Sequence, residues 1–184
     1  MATVILHDQR LDGAVEPGLG TVVRVDGSTP LTQAFRDVLA AINSSPAELV
    51  IACHGFMTHS YDNATHIDLR GGEGLQLCRE TLTVTNVRRV EALAGYFSKV
   101  WLMACGPAGT LIHASRPFCR EFACYADAPV IASDTAQSYY PGTHDNAAQV
   151  SRRVLRFGKW EGNVFEFRPD GTVHPASRTA TPLP

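Results

Sequence analysis

Two short apolar segments of the chain each lead to residues that can carry out acid–base or nucleophilic chemistry. Residues 49–52 are followed by Cys53 and His54, and residues 100–104 are followed by Cys105. A thiol attacks a carbonyl carbon efficiently only as the thiolate, and a neighbouring imidazole can take its proton. The pattern therefore predicts a Cys–His pair, provided that both segments are strands that end at one edge of a sheet.

The segments around this pair alternate between strand-like and helix-like patterns. This order predicts an α/β fold, a single domain with a mostly parallel central sheet and helices on both faces. In such folds the site lies beyond the carboxyl ends of the strands, where His54 and Cys105 are expected. Strands are predicted at residues 3–7, 21–26, 49–53, 100–104 and 129–132. Helices are predicted to start at Pro30 behind a Thr29 N-cap and to span about residues 86–97, 116–126 and 145–157.

Two hairpins complete the predicted fold. A small hairpin insertion is expected after the His-Gly strand, with strands 67–69 and 75–77 on either side of Gly71, Gly72 and Gly74. A C-terminal hairpin is expected from strands 163–167 and 172–174 with a turn at 169–171. We therefore assign residues 1–176 to one domain and residues 177–184 to a loose C-terminal tail.

Composition excludes several classes of partner. The net charge of −2 gives no basic surface for nucleic acid or for an anionic membrane. No apolar run reaches the ~20 residues of a membrane span, and the N-terminus has no signal-peptide pattern. We therefore expect a cytoplasmic protein, with signal-independent secretion left open. The odd number of cysteines, 5, predicts at least one free thiol.

The two motifs resemble those of clan CD cysteine proteases, the caspases and CHAT proteases among them. Cys-His-Gly at 53–55 and Met-Ala-Cys-Gly at 103–106 match the two halves of the pattern, in the right order and about 50 residues apart. The resemblance covers roughly residues 48–134 and is strongest with bacterial caspase-like domains. It implies a cysteine endopeptidase that acts on a protein or peptide and needs no cofactor or metal, with regulatory or delivery partners unknown.

The resemblance also implies roles for individual residues. Cys105 is the nucleophile, His54 is the general acid–base, and the N–H groups of Gly55 and Cys105 form the oxyanion hole. Caspases carry a Gln two residues before the nucleophile, where this chain has Met103. An apolar lining disfavours a charged substrate side chain, so an apolar or small residue is expected before the scissile bond.

Other interpretations stay open. Asp134 or Asp62 in the substrate pocket would favour a basic residue before the scissile bond. Cys-His-Gly also resembles the nucleophile turn of the class I glutamine amidotransferase superfamily, in which Cys53 would be the nucleophile at the start of a helix. A third interpretation is a catalytically silent caspase-like module that recruits partners. Finally, His59 and His66 form a loose cluster with Cys53 and His54, in a spacing that matches no standard zinc site.

Overall fold

A seven-stranded, mostly parallel sheet forms the centre of the molecule. The computed structural model describes residues 2–62, 66–109, 115–137, 154–155, 157 and 160–180, without the side chains of residues 57–73 and 115–116. Its strands are β1 (Ala2–Asp8), β2 (Ala14–Val15), β3 (Thr21–Val25), β4 (Ala47–Ala52), β5 (His54–Asp62), β6 (His66–Gln76), β7 (Leu82–Thr83), β8 (Phe97–Met103), β9 (Val130–Ser133), β10 (Val154–Leu155), β11 (Val164–Phe167) and β12 (Val173–Ala176). Its helices are α1 (Leu31–Ala40), a 3₁₀ helix (Val87–Leu93) and α2 (Ser115–Ala126).

The order of strands across the sheet is β12-β11-β9-β8-β4-β1-β3. The strands from β3 to β9 run parallel, and β11 runs antiparallel to both of its neighbours. From β1 the chain first adds β3 on one side of β1, and then adds β4, β8 and β9 in turn on the other side. The direction in which strands are added therefore reverses between β1 and β4. Ligands of open α/β sheets bind beyond the carboxyl ends of the strands at such a reversal. The predicted α/β fold with a mostly parallel sheet is confirmed.

Side chains of the central strands alternate between two apolar clusters, one on each face. The helix-side cluster contains Leu49, Ile51 and Cys53 of the β4 region together with buried residues of α1, the 3₁₀ helix and α2. The opposite cluster contains Val50 and Ala52 and is covered by residues from loops and short strands, Trp160 among them. All helices that the structure describes therefore pack on one face, so helices on both faces are not seen in these residues.

The helices follow the predicted periodicity, but their ends differ from the predictions. Pro30 has an extended ψ of 140° and stands before α1 rather than in it, and Glu80 accepts the Leu31 N–H at 2.8 Å in place of a Thr29 cap. Between 86 and 97 only the 3₁₀ helix forms, because its apolar residues recur every three positions and Gly95 at φ 78° leads into β8. Residues 154–155 of the fourth predicted helix form β10 instead, paired with β2, and 145–153 lie outside the described residues.

The insertion after the His-Gly strand is a hairpin, as predicted, but residues 67–69 and 75–76 of its two predicted strands both belong to β6. β5 pairs antiparallel with β6, so Gly71, Gly72 and Gly74 lie within a strand and not in the turn. A Cβ on Gly74 would overlap the carbonyl oxygen of Leu82, so this glycine permits the close approach of β7. The C-terminal hairpin of β11 and β12 is confirmed, with Gly171 at φ 82° in its turn.

The first residues of the segment expected to form a loose tail contact the opposite cluster. The Trp160 N–H donates to the carbonyl of Arg178 at 2.9 Å, and its indole N–H donates to the carbonyl of Ala180 at 2.7 Å. These bonds satisfy both N–H groups of a buried tryptophan, and they attach residues 178–180 to the opposite cluster.

Candidate functional site

The two predicted catalytic residues follow neighbouring strands of the sheet. β4 and β8 pair in parallel, with Ala52 opposite Met103, and His54 and Cys105 each lie two residues further on. Adjacent strands are about 4.8 Å apart. The sheet therefore brings the two chain segments together at its carboxyl edge, next to the reversal of strand order.

The residues just before His54 and Cys105 lie on known faces of the sheet. Cys53 and Ala104 belong to the helix-side cluster, whereas Ala52 and Met103 belong to the opposite cluster. His54 begins β5, and Cys105 follows a bend in which the Ala104 N–H donates to the carbonyl of Leu102 at 3.0 Å, so both residues lie where the chain leaves the sheet. His54 is exposed and Cys105 is partly buried, so solvent reaches both positions.

Gly55 is the point of contact between the two segments. A Cβ at this position would overlap the carbonyl oxygen of Cys105 and would lie 2.9 Å from its backbone nitrogen. Only a residue without a side chain allows this approach. The main chains of the two residues predicted to donate to an oxyanion are therefore in direct contact.

The His54 ring is held by a main-chain carbonyl beyond β1. Its Nε2 lies 2.9 Å from the Arg10 carbonyl oxygen. A carbonyl oxygen can only accept, so Nε2 must donate, and in the neutral ring the proton-accepting nitrogen is then Nδ1. This is the tautomer that a general base needs if Nδ1 is to receive the proton of a thiol.

Arg10 is itself fixed by Asp8, whose side chain is fully buried. Arg10 Nε and Nη2 donate to the two oxygens of Asp8 at 2.8 and 2.6 Å, and the Cys78 N–H donates to Asp8 at 2.8 Å. Burial alone raises the pKa of Asp8, but these hydrogen bonds and the guanidinium charge outweigh it, so the pKa lies below its ordinary value. Asp8 is therefore ionised at neutral pH.

Cys105 lies at the end of β8, before a loop with defined contacts. Gly106 has φ 57°, its N–H donates to Thr135, and the Ala108 N–H donates to Ser133, both to carbonyl oxygens. The Cys105 sulfur lies 3.9 Å from the carbonyl oxygen of Gln137. The loops after β8 and β9 thus hold one another around the thiol.

The remaining cysteines differ from Cys105 in their surroundings. Burial raises the pKa of Cys53 and of Cys119 well above the usual range, and burial together with Asp8 raises the pKa of Cys78 to about 12. These thiols stay protonated and therefore unreactive at neutral pH. Cys124 is exposed on α2, away from the strand ends.

The predicted substrate-binding residues are not gathered into one pocket. Met103 is only 3% exposed and packs in the opposite cluster, so it contributes almost no surface for a substrate. Asp134 accepts hydrogen bonds from Asn163 on both carboxylate oxygens, at 2.8 and 2.9 Å, which hold β11 against the end of β9. Asp62 lies at the far end of β5, roughly 26 Å of extended chain beyond His54, and its side chain is not among those described.

Sequence reasoning missed Asp8 and Arg10. A signal was present, since an acidic residue directly after a buried apolar strand and two positions before an arginine favours a turn closed by an ion pair. No local pattern indicates that this turn binds His54, because His54 lies 44 positions after Arg10 in the chain.

Within the described residues, no three His, Cys, Asp or Glu side chains are grouped as a metal site would require. In the same part of the chain, every helix is too short or too polar to cross a bilayer. Comparisons of the chain with models of protein families, with curated proteins and with solved structures found no match.

Proposed function

We propose that this protein is a cysteine endopeptidase of the caspase-like type, with Cys105 as nucleophile and His54 as general acid–base. The observation that carries the proposal is the position of both residues two places beyond the paired ends of neighbouring parallel strands, where the main chain of Gly55 meets that of Cys105. The Arg10 carbonyl bound to His54 Nε2 supports it, because this bond leaves Nδ1 free to act as the base.

The proposed reaction has two steps. In the first, the Cys105 sulfur attacks the carbonyl carbon of the scissile amide, and His54 takes the thiol proton and passes it to the leaving amine. In the second, a water molecule loses a proton to His54 and attacks the thioester, which releases the carboxylic acid and restores the thiol. The N–H groups of Gly55 and Cys105 are the proposed donors to the oxyanion in both steps.

The amidotransferase-like alternative loses support at Cys53. Its thiol is buried, its pKa is raised by burial, and His54 begins a strand where that alternative requires a helix. A silent module that recruits partners stays distinguishable from the protease by experiment.

A peptide library incubated with the protein tests the proposal directly. We expect the wild type and Cys53→Ser to cleave the library. We expect Cys105→Ala and His54→Ala to lower the cleavage rate by at least about 10³-fold, because the two residues act as a unit and the loss of either one removes most of the catalysis. Cleavage that survives Cys105→Ala but not Cys53→Ser would support the amidotransferase-like mechanism instead. The same cleavage in all variants, or none in any of them, would contradict the protease and favour the silent module.

A further inference from the structure

The Arg10 carbonyl is directed at His54 by a turn at the end of β1. The Leu11 N–H donates to the Asp8 carbonyl at 2.9 Å, which closes a four-residue turn from Asp8 to Leu11. The Leu11 N–H and the Arg10 carbonyl belong to one planar trans peptide unit, so they point in opposite directions. With the N–H turned inward to Asp8, the carbonyl points outward to His54 Nε2.

Side chains fix this turn to the hairpin that follows His54. Asp8 accepts from the Arg10 backbone N–H at 3.1 Å as well as from its guanidinium. Arg10 Nη2 also donates to the carbonyls of Gln76 and Cys78, at 3.2 and 2.9 Å. We call Asp8, Arg10 and these two carbonyl groups the Asp8–Arg10 clamp.

Asp8 and Arg10 together bind both main-chain polar groups of Cys78. The Cys78 N–H donates to Asp8, and the Cys78 carbonyl accepts from Arg10. These two bonds hold Cys78 at φ 58°, a left-handed conformation that is rare for residues other than glycine. Cys78 follows β6, and β6 pairs with β5. His54 is the first residue of β5 and lies opposite Gln76 of β6. The clamp thus joins the two chain segments that determine where the imidazole lies: the turn that binds its Nε2 and the hairpin that carries its backbone.

We propose that the Asp8–Arg10 clamp positions the His54 imidazole for proton exchange with Cys105, so that Asp8 and Arg10 are positioning residues for this site. The proposal rests on the function proposed above and names what orients its general base. A guanidinium suits this task, because its planar array of N–H donors can bind a carboxylate with two nitrogens and still donate to main-chain carbonyls at its edge.

The reactivity of Cys105 toward iodoacetamide tests the proposal without knowledge of the substrate. The rate is followed by mass spectrometry of the peptide that contains Cys105, in a Cys124→Ser background that removes the exposed competitor. Asp8, Arg10 and Cys78 interact with Cys53 next to the pair, and His7 lies in the same turn region, with its Nε2 2.9 Å from the carbonyl oxygen of Leu11. Cys53 and Cys78 stay protonated and Asp8 stays ionised, and the His54→Ala protein shows which part of the change of rate from about pH 5 to about pH 8 does not depend on His54.

We expect Asp8→Asn and Arg10→Gln to lower the alkylation rate at neutral pH by about tenfold and to flatten the pH profile toward that of His54→Ala. Arg24→Gln is the matched control, because it removes the same charge from β3, opposite His7 of β1, without touching the clamp. We expect this control to keep the wild-type profile.

Two results would overturn the proposal. If folded Asp8→Asn and Arg10→Gln proteins keep the wild-type profile while His54→Ala changes it, the clamp has no positioning role and the proposed function stands. If His54→Ala itself leaves the profile unchanged, the Cys–His pair is absent and both proposals fail.

Arg10→Lys decides the question if the other variants do not fold. Lysine keeps the charge beside Asp8 but lacks the planar fork that binds both oxygens of the carboxylate. We expect Arg10→Lys to keep a cooperative unfolding transition and yet to shift the pH profile toward that of His54→Ala. A wild-type profile in this variant would contradict the proposal.

Discussion

The two halves of the candidate site are built with different chemistry. On the His54 side, a fully buried carboxylate and a guanidinium hold the turn after β1 and the end of β6. On the Cys105 side, most contacts between the loops are made by uncharged groups, with Gly106 bonded to Thr135 and the Gln137 amide bonded to Ser133 and to the main chain of residue 161. The Asp134 carboxylate on this side accepts from the neutral Asn163. One half thus depends on an ion pair and the other on hydrogen bonds without an opposite charge.

This difference determines how each half responds to change. A buried ion pair that loses one partner leaves an uncompensated charge, so a single substitution has a large effect. Removing a neutral hydrogen bond costs up to about 1 kcal/mol, and less where the groups set free can bind water. The His54 side is therefore expected to be sensitive to charge and acid, and the neutral bonds of the Cys105 side to be more tolerant and independent of pH.

The largest expected effect on stability comes from Asp8→Asn. We expect a loss of about 3 kcal/mol in the free energy of unfolding at pH 7, because the Arg10 charge keeps its place but loses its carboxylate. The pKa of Asp8 is lowered from 3.8 in the folded protein, so its ionised form stabilises the fold fully above pH 3.8 and progressively less below it. Urea unfolding of both proteins from pH 7 to pH 3 measures the difference, which should be constant down to about pH 5 and shrink below pH 4.

Asp37→Asn provides the control for this experiment. Asp37 is exposed on α1, where it accepts a hydrogen bond from Gln33. We expect its urea midpoint to match that of the wild type throughout the pH series. An equal loss of unfolding free energy in both variants would mean that Asp8 stabilises the fold no more than an exposed aspartate does. The contrast between the two halves would then disappear.

Gly55→Ala tests the contact at which the two halves meet. The added Cβ would collide with backbone atoms of Cys105, which cannot move aside as a side chain can. We expect a loss of about 2 kcal/mol in stability and separation of the strand ends. Gly27→Ala serves as control, because its Cβ would come no closer than 3.4 Å to the flexible Arg10 side chain. Equal urea midpoints of the two variants would contradict the close approach.

The parts of the fold that the sequence predicted correctly are those with strong local patterns. The apolar strands β4 and β8 and the amphipathic α1 were found because each carries its own periodicity. The hairpin strands were misplaced because glycines were interpreted as a turn, whereas Gly74 lies within β6 where another main chain approaches. That approach is a tertiary contact, and no local pattern contains it.

The candidate site shows the same division. The approximate positions of His54 and Cys105 followed from two strand ends, but their relation depends on the register of β4 against β8, which the sequence did not specify. Met103 was expected to line a pocket because caspases carry a pocket residue two positions before the nucleophile, yet alternation turns its side chain into the opposite cluster. The Arg10 carbonyl could not be found at all, because a main-chain oxygen has no signature among residue types.

The smallest expected effect comes from Gln137→Ala, on the Cys105 side. Its amide nitrogen lies 2.9 Å from the Ser133 hydroxyl and 3.0 Å from the carbonyl of Glu161, and its amide oxygen accepts the Glu161 N–H at 3.1 Å. We expect a loss of about 1 kcal/mol for the three bonds together, because the groups set free can bind water at this partly exposed position. No ionised group takes part in these bonds, so the loss should be the same at pH 5 and pH 8, as measured by urea unfolding. A loss of unfolding free energy as large and as acid-dependent as that of Asp8→Asn would contradict this difference between the halves. It would show that ionised groups also stabilise the Cys105 side, with the clamp holding the neutral loops in place.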